Sequence, residues 1–156
     1  MREALGRVPA WAWLGGIVVA SSALRVQLGR GMVAPFVLVD ELIYAELARS
    51  LADGGGYAVR ETSVSGYSLL YPALIAPAFA LFDALPDAYA AAKAIGAVVM
   101  SLAAVPTYLL ARRVAAQVPA LLAAVASIVV PSMAYTGTIT TESLFYPVSL
   151  AAALVL

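Results

Sequence analysis

The sequence contains no cysteine and no histidine. It therefore has no disulfide, no thiolate zinc site, no Ser-His-Asp triad and no histidine metal cluster. Charge is sparse as well, at 12% of the 156 residues, against about a quarter in soluble domains. The few charges balance to a formal net charge of zero, and no Lys/Arg block marks a nucleic-acid surface or a polybasic lipid-binding patch. No nucleic-acid partner is expected. Any chemistry must rest on carboxylates, hydroxyls, Arg or Lys.

What is abundant is apolar residue, 63% of the chain. Charge-free runs at Val8–Leu24, Ala94–Ala111 and Val118–Ala134 come close to the roughly 20 residues that cross a bilayer core. They predict spans at about 9–29, 88–111 and 118–139. A further apolar run at 143–156 is too short to cross, so the chain is expected to be truncated at Leu156. The expected fold class is an all-α integral membrane protein, with 1–156 as the N-terminal part of one polytopic transmembrane domain. Arg2 and Arg7 before the first run, with Ser21 and Ala23 at a possible cleavage point, also outline a signal peptide, but the later apolar helices favour a retained span. Trp11 and Trp13 suit an interfacial belt, and Arg25 is expected to snorkel outward.

Over about 40–53 the pattern changes. Ile43, Tyr44, Leu47, Ala48 and Leu51 fall on one helical face, with Glu46, Arg49, Ser50 and Asp53 opposite, which suits an amphipathic helix lying along a membrane. Gly54-Gly55-Gly56 ends it, and Tyr57 to Gly66 reads as a polar loop. The apolar segment at about 67–82 holds Pro72 and Pro77 and is short for a crossing, so it reads as re-entrant or juxtamembrane. Two crossings then separate Asp40 from Glu142, which puts both on one membrane face. Arg112 and Arg113 share the other face with Arg2 and Arg7, as the positive-inside tendency prefers. Arg25, Arg30, Arg49 and Arg60 in the long outer segment oppose that assignment, and the acids Asp40, Glu41, Glu46, Asp53 and Glu61 among them offset the opposition. Pro106 and Pro131 are expected to kink the second and third spans.

Asp40 and Glu41 stand at the start of the amphipathic helix, where water meets membrane. Two readings follow. Asp40 caps the helix with Glu41 in its first turn, or the pair is a catalytic base held ionised by the helix N-terminus. Glu142, the one charged residue after Arg113, is either a first-turn acid capped by Thr140 and Thr141 or a functional carboxylate. Tyr44, Tyr67, Tyr71, Tyr135 and Tyr146 can line a sugar or lipid-phosphate pocket or anchor the chain at the interface. Arg49 and Arg60 have the fork geometry that suits phosphate, and Arg49 has a competing surface pairing with Glu46. Lys93 is expected to snorkel.

The motif Asp40-Glu41-Leu-Ile-Tyr44-Ala-Glu-Leu-Ala48-Arg49-Ser-Leu51 is followed in order by Tyr67-Ser-Leu-Leu-Tyr71-Pro72, by Tyr108-Leu-Leu-Ala-Arg112-Arg113 and by Thr141-Glu142-Ser-Leu-Phe-Tyr146. This ordered set resembles the N-terminal region of the C-type (GT-C) membrane glycosyltransferases, especially the protein O-mannosyltransferase and aminoarabinose transferase group. The resemblance implies transfer of a sugar from a polyprenyl-phosphate donor to a glycan, lipid or protein acceptor hydroxyl on the extracytoplasmic face, in the plasma membrane. It implies catalytic roles for Asp40, Glu41 and Glu142, and the residue chemistry given above then puts Tyr44, Arg49, Arg60, Tyr67 and Tyr71 around the substrate. Membrane lipids are the remaining expected partners. No cofactor is assigned, and a divalent cation on carboxylates stays open. Where many members of the group carry Lys-Pro-Pro or His-Pro-Pro, this chain has Gly66-Tyr67-Ser68, which leaves the donor subclass open. The rival readings are a transporter or lipid flippase, whose substrate paths also use broken helices and intramembrane acids, and a non-catalytic membrane assembly subunit.

Overall fold

Helix α1 (Ala10–Gly29) begins directly after the extended backbone of Pro9 in a computed structural model that describes residues 8–33, 39–60, 62–129 and 137–156. At about 1.5 Å per residue its length is roughly 30 Å, matching a bilayer core. Helix α2 (Val39–Ala52) carries Asp40 and Glu41 in its first turn, so Asp40 is inside the helix and does not cap it. Gly54 (φ 75) and Gly56 (φ 77) end it with left-handed backbone that a side chain would strain. The stretch expected as a plain polar loop instead forms a small hairpin of β1 (Ala58–Val59) and β2 (Thr62–Ser63), paired antiparallel with Ala58 opposite Ser63. Arg60 turns it with φ 47, an unusual conformation for a residue with a Cβ.

Helix α3 (Leu70–Leu81) is apolar but has only 12 residues, about 18 Å, and so is too short to cross a bilayer as a helix. Next come α4 (Leu85–Ser101), with Pro86 in its first turn, and α5 (Ala104–Arg112). Together they make a 28-residue apolar stretch. They join through a tightened turn whose cause is local. Pro106 has no N–H for the Leu102 carbonyl, and the Val105 N–H takes that carbonyl instead, three residues away, at 3.0 Å. Helices α6 (Gln117–Val129) and α7 (Glu142–Ala152) complete the described chain. Two helices, α1 and the α4–α5 stretch, are long and apolar enough to cross a membrane. The span expected over 118–139 is described only to Val129 and again from Gly137, so Pro131 and Tyr135 lie outside the described residues.

Two hydrophobic cores form. The first joins Tyr44, Leu47 and Ala48 of α2 to Tyr71, Ile75 and Ala78 of α3, Tyr89 and Ala92 of α4, and Ile139. The second joins Leu14 of α1 to Ala103, Ala104 and Tyr108 beside and within α5, and to Ala120, Leu121, Ala124 and Ile128 of α6. Helix α4 links them, packing on α1 along one side and on α3 and α7 along another. Asp40 and Glu142 lie at the end of the molecule with the first core. Arg112 and Arg113 lie at the other, where the Arg113 guanidinium donates to the Leu154 carbonyl beyond the last turn of α7.

Two basic side chains depart from the sequence expectation. Arg25 is 1% exposed and does not snorkel: its Nε–H donates to Ser21 Oγ at 3.1 Å and its Nη2 to the Ile128 carbonyl. Lys93 is 6% exposed, donates to the Gly29 and Met32 carbonyls, and stands 4.7 Å above the Tyr89 ring. The reason is shared. Helix ends leave carbonyls without intrahelical partners, and a long cationic side chain one helix away satisfies them without leaving the protein.

Candidate functional site

The site grows from the periodicity of α2. A turn of 3.6 residues puts Glu41, Tyr44, Ala45 and Ala48 on the inward face, and all four are buried. Asp40, one position back, points away and is exposed. Adjacent acids therefore have opposite surroundings. Asp40 meets water. Glu41 is completely buried, and its Oε1 accepts hydrogen bonds from the Tyr89 hydroxyl and, at 2.9 Å, from the Ile139 backbone N–H. The second bond ties α2 to the residues leading into α7, 98 positions away in sequence.

Above Glu41 the tyrosines assemble. Tyr44 meets Tyr67 and Tyr71 edge to face, with ring centroids 5.7 and 5.6 Å apart and planes at 87° in both pairs, an arrangement favoured by the ring quadrupole. Tyr71 is 1% exposed, held by Ile75 and Ala78 of its own helix face and by α4. Gly96 of α4 faces the same point: a Cβ there would make ordinary van der Waals contact, 3.6 Å from Ser143 Oγ and 3.8 Å from the Tyr71 hydroxyl oxygen.

The electrostatics report who faces whom. Burial is the main force raising the Tyr44 phenol above its ordinary value. A hydrogen bond with the Thr141 side chain pulls the other way, and the charges of Asp40 and Glu142 both push it up. These two carboxylates, 102 positions apart in the chain, thus act on one hydroxyl. Tyr71 is pushed up further, again chiefly by burial, with Glu41, Glu142 and Tyr44 adding to it and the Thr140 backbone opposing. Tyr57 is raised as well, by burial and by its neighbours Tyr44 and Tyr67. All three phenols remain protonated donors at neutral pH.

Beside these hydroxyls opens a cleft of about 260 Å³ lined by Tyr44, Ser68, Leu70, Tyr71, Thr141, Leu144, Phe145 and Val148. Its character changes along its length. Hydroxyls of Tyr44, Ser68, Tyr71 and Thr141 gather near the acids, whereas Leu144, Phe145 and Val148 continue as an apolar wall along α7. Phe145 is 71% exposed and so offers that wall to whatever surrounds the helix. The arrangement suits a ligand with a hydroxyl-rich head and an apolar tail.

Of the residues singled out in the sequence, Asp40, Tyr44, Tyr67, Tyr71 and Glu142 are brought together here, with Glu41 directly beneath. Arg49 and Arg60 are not. Arg49 lies at the far end of α2, roughly 13 Å along the helix axis from Asp40. There it pairs at 4.0 Å with Asp53 and not with Glu46, and lines a separate cavity with Phe79 and Phe82. Arg60 sits at the exposed tip of the hairpin. Tyr146 belongs to the second core, where its hydroxyl donates at 3.1 Å to the Ser127 carbonyl. That carbonyl would bond the N–H of residue 131 in a continuing helix, and residue 131 is proline. Thr141 stands at the N-cap position of α7 but makes no side-chain cap bond, its hydroxyl being turned to Tyr44.

Sequence reasoning missed Tyr89, Ser68, Thr141 and Phe145 as parts of this site. A signal existed for Tyr89 alone: it precedes Lys93 by four residues, which puts both on one helical face. Among the described residues no group of three or more acidic side chains is placed to hold a metal ion. Compared with protein-family models, curated proteins and solved structures, the chain matches none.

Proposed function

We propose that the chain belongs to a membrane-embedded glycosyltransferase that moves a sugar from a polyprenyl-phosphate donor to an acceptor hydroxyl on the extracytoplasmic face. The observation that carries this reading is the two-character cleft: hydroxyls of Tyr44, Ser68, Tyr71 and Thr141 at one end, where the charges of Asp40 and Glu142 act on Tyr44, and an apolar wall on α7 at the other. Hydroxyls and carboxylates hydrogen-bond a sugar, and the wall gives a polyprenyl chain a path toward lipid. The sequence resemblance to C-type glycosyltransferases supports the same class.

In this reading Asp40 is the base, because it is the exposed member of the pair and can reach a substrate. It accepts the proton of the acceptor hydroxyl as that oxygen bonds the anomeric carbon. The bond from the anomeric carbon to the phosphate oxygen breaks, and the lipid phosphate leaves with the electron pair. A single displacement of this kind inverts the anomeric centre. Glu142 orients the acceptor through hydrogen bonds. Glu41, sealed beneath the site, is a positioning residue that fixes α2 against Tyr89 and Ile139. Protonated Tyr44 and Tyr71 donate to sugar or phosphate oxygens as negative charge develops there.

The test is release of polyprenyl phosphate from lipid-linked sugar by purified full-length protein. Asp40→Asn should lower the rate at least about 100-fold, the usual contribution of a general base, with expression and unfolding temperature unchanged. Wild-type activity in that variant overturns the assignment of Asp40. A second reading, substrate transport, is favoured by one feature: the break between α4 and α5 beside the buried polar group of Ser21, Arg25 and Ser101. Counterflow of a lipid-linked sugar across vesicles, without release of the phosphate, would replace transfer with transport.

A further inference from the structure

Where the chain leaves α1, the Lys93 ammonium of α4 collects two carbonyls, those of Gly29 and Met32. Lys93 is buried and stands 4.7 Å above the ring of Tyr89, one helical turn earlier. A cation on the ring face polarises the phenol, which strengthens its hydroxyl as a donor. That hydroxyl donates to Glu41 Oε1, and the same oxygen accepts the Ile139 N–H at 2.9 Å. From Ile139 the chain runs through Thr140 and Thr141 to Glu142. A second route leads from the same lysine to the same segment. Met32, whose carbonyl Lys93 holds, lays its thioether against Gly137, where a Cβ would stand only 3.2 Å from Met32 Sδ. Lys93, Tyr89, Glu41, Met32, Gly137 and Ile139 thus stand behind the cleft and not among the residues that line it.

We propose that Lys93 is a positioning residue for the acidic cleft: through Tyr89 and Glu41 on one side, and through Met32 and Gly137 on the other, it sets where Thr141 and Glu142 stand relative to Tyr44 and Asp40. Both routes end on the short segment that enters α7. One pulls on it through the Ile139 N–H, and the other presses on it at Gly137. Glu41 carries the first route into α2 as well, so the helix that bears Asp40 and Tyr44 and the segment that bears Thr141 and Glu142 meet on one carboxylate oxygen. The Thr141 side chain bonds to Tyr44, so a shift of that segment is felt at the cleft hydroxyls. The clamp rests on these contacts; its effect on rate rests on the reading of the cleft as a site of sugar transfer. Reacting groups tolerate little displacement, and a misplacement of about 1 Å lowers a rate by about 100-fold.

The experiment labels the full-length protein with fluorotyrosine, reads the Tyr44 resonance by fluorine NMR, assigned with Tyr44→Phe, and measures kcat and KM for release of polyprenyl phosphate from lipid-linked sugar. Lys93→Met, which keeps the length of the side chain and removes its charge and donors, should move the Tyr44 resonance and lower kcat about 100-fold. KM should stay within about twofold, because Lys93 does not touch the cleft. Gly137→Val loads the second route without removing a charge. It should move the same resonance and lower kcat about tenfold, and adding Met32→Ala should restore both. A Tyr44 resonance at its wild-type position in folded Lys93→Met overturns the proposal, as does a rise in KM with kcat unchanged, which would make Lys93 a binding residue. Should Lys93→Met not fold, the Gly137→Val pair decides: an unmoved resonance there, or no restoration by Met32→Ala, overturns it. Wild-type protein that releases no polyprenyl phosphate overturns the transfer reading, and a resonance that still moves in Lys93→Met upholds the clamp.

Discussion

At the acidic end of the molecule, Tyr44, Tyr71 and Tyr89 fill the space between α2, α3 and α4 around a fully buried glutamate. At the other end, Ala103, Ala104, Ala120 and Ala124, all 0% exposed, let α5 and α6 approach closely, with Leu14 of α1 closing the cluster. The two regions use different sources of cohesion. Small residues gain from close packing of backbones, the usual means of holding helices together where lipid replaces water as solvent. Large phenols gain from burial too, but each brings a hydroxyl that must be satisfied. The end built from small side chains can be tight and chemically silent. The end built from tyrosines carries hydroxyls whose spare capacity is available to a ligand.

The largest effect should come from removing Glu41, the buried acid at the tyrosine end. Glu41→Ala leaves the Tyr89 hydroxyl and the Ile139 N–H without their acceptor, and should cost about 3 kcal/mol, read as a drop in unfolding temperature of the purified protein. A change below about 0.5 kcal/mol would mean that Glu41 does not hold α2 to the region before α7. In the small-residue core the sensitive change is the opposite one, an increase in size. Ala124→Leu should cost about 2 kcal/mol by overpacking the contact between α5 and α6, and the Tyr44 environment should be unaffected. Measuring both variants by unfolding and by near-ultraviolet tyrosine signals shows whether the two cores respond independently.

Alkaline titration gives a smaller effect with a definite sign. Tyr44, Tyr57 and Tyr71 all have folded values raised above the ordinary phenol value of about 10. An unfolded chain would therefore lose these protons first. The stability they contribute is complete below about pH 10 and is lost as pH rises from there through the higher folded values. Phenolate absorbance should accordingly lag behind that of free tyrosine and then rise as the tyrosine end opens. Titration of all tyrosines at the free value in folded protein would contradict the burial described here. The smallest effect is expected at Arg49→Ala. The pair with Asp53 is spread over 4.0 Å with side chains 63% and 70% exposed, so the loss should be within about 0.5 kcal/mol.

Much of the helical framework is readable without coordinates. Repetition at 3.6 residues separates the inward Tyr44, Leu47 and Ala48 from the outward Arg49 and Asp53, and the paired φ-positive glycines Gly54 and Gly56 stop α2 where the sequence places three glycines. Pro106 forecasts a defect in the second long helix, and the defect lies at Leu102–Ala103, one turn earlier, where the missing donor is felt. Less readable were the ends of polar side chains. Arg25 and Lys93 look like residues that reach for a surface, because sequence gives their length and charge but not the carbonyls of another helix within their reach.

The sequence by itself determined that this chain is mostly helical and rich in apolar stretches, and that its chemistry is confined to carboxylates, hydroxyls, Arg and Lys, because composition and periodicity are local properties. Tertiary structure alone decided how two neighbouring acids divide their work. Asp40 and Glu41 differ by one position and by about 100° around a helix, which leaves one in water and turns the other toward Tyr89 and Ile139. It also brought Glu142 to bear on Tyr44 and kept Arg49 and Arg60 away from the cleft. Side-chain spacing fixes which face a residue occupies; what stands opposite that face depends on how distant helices pack.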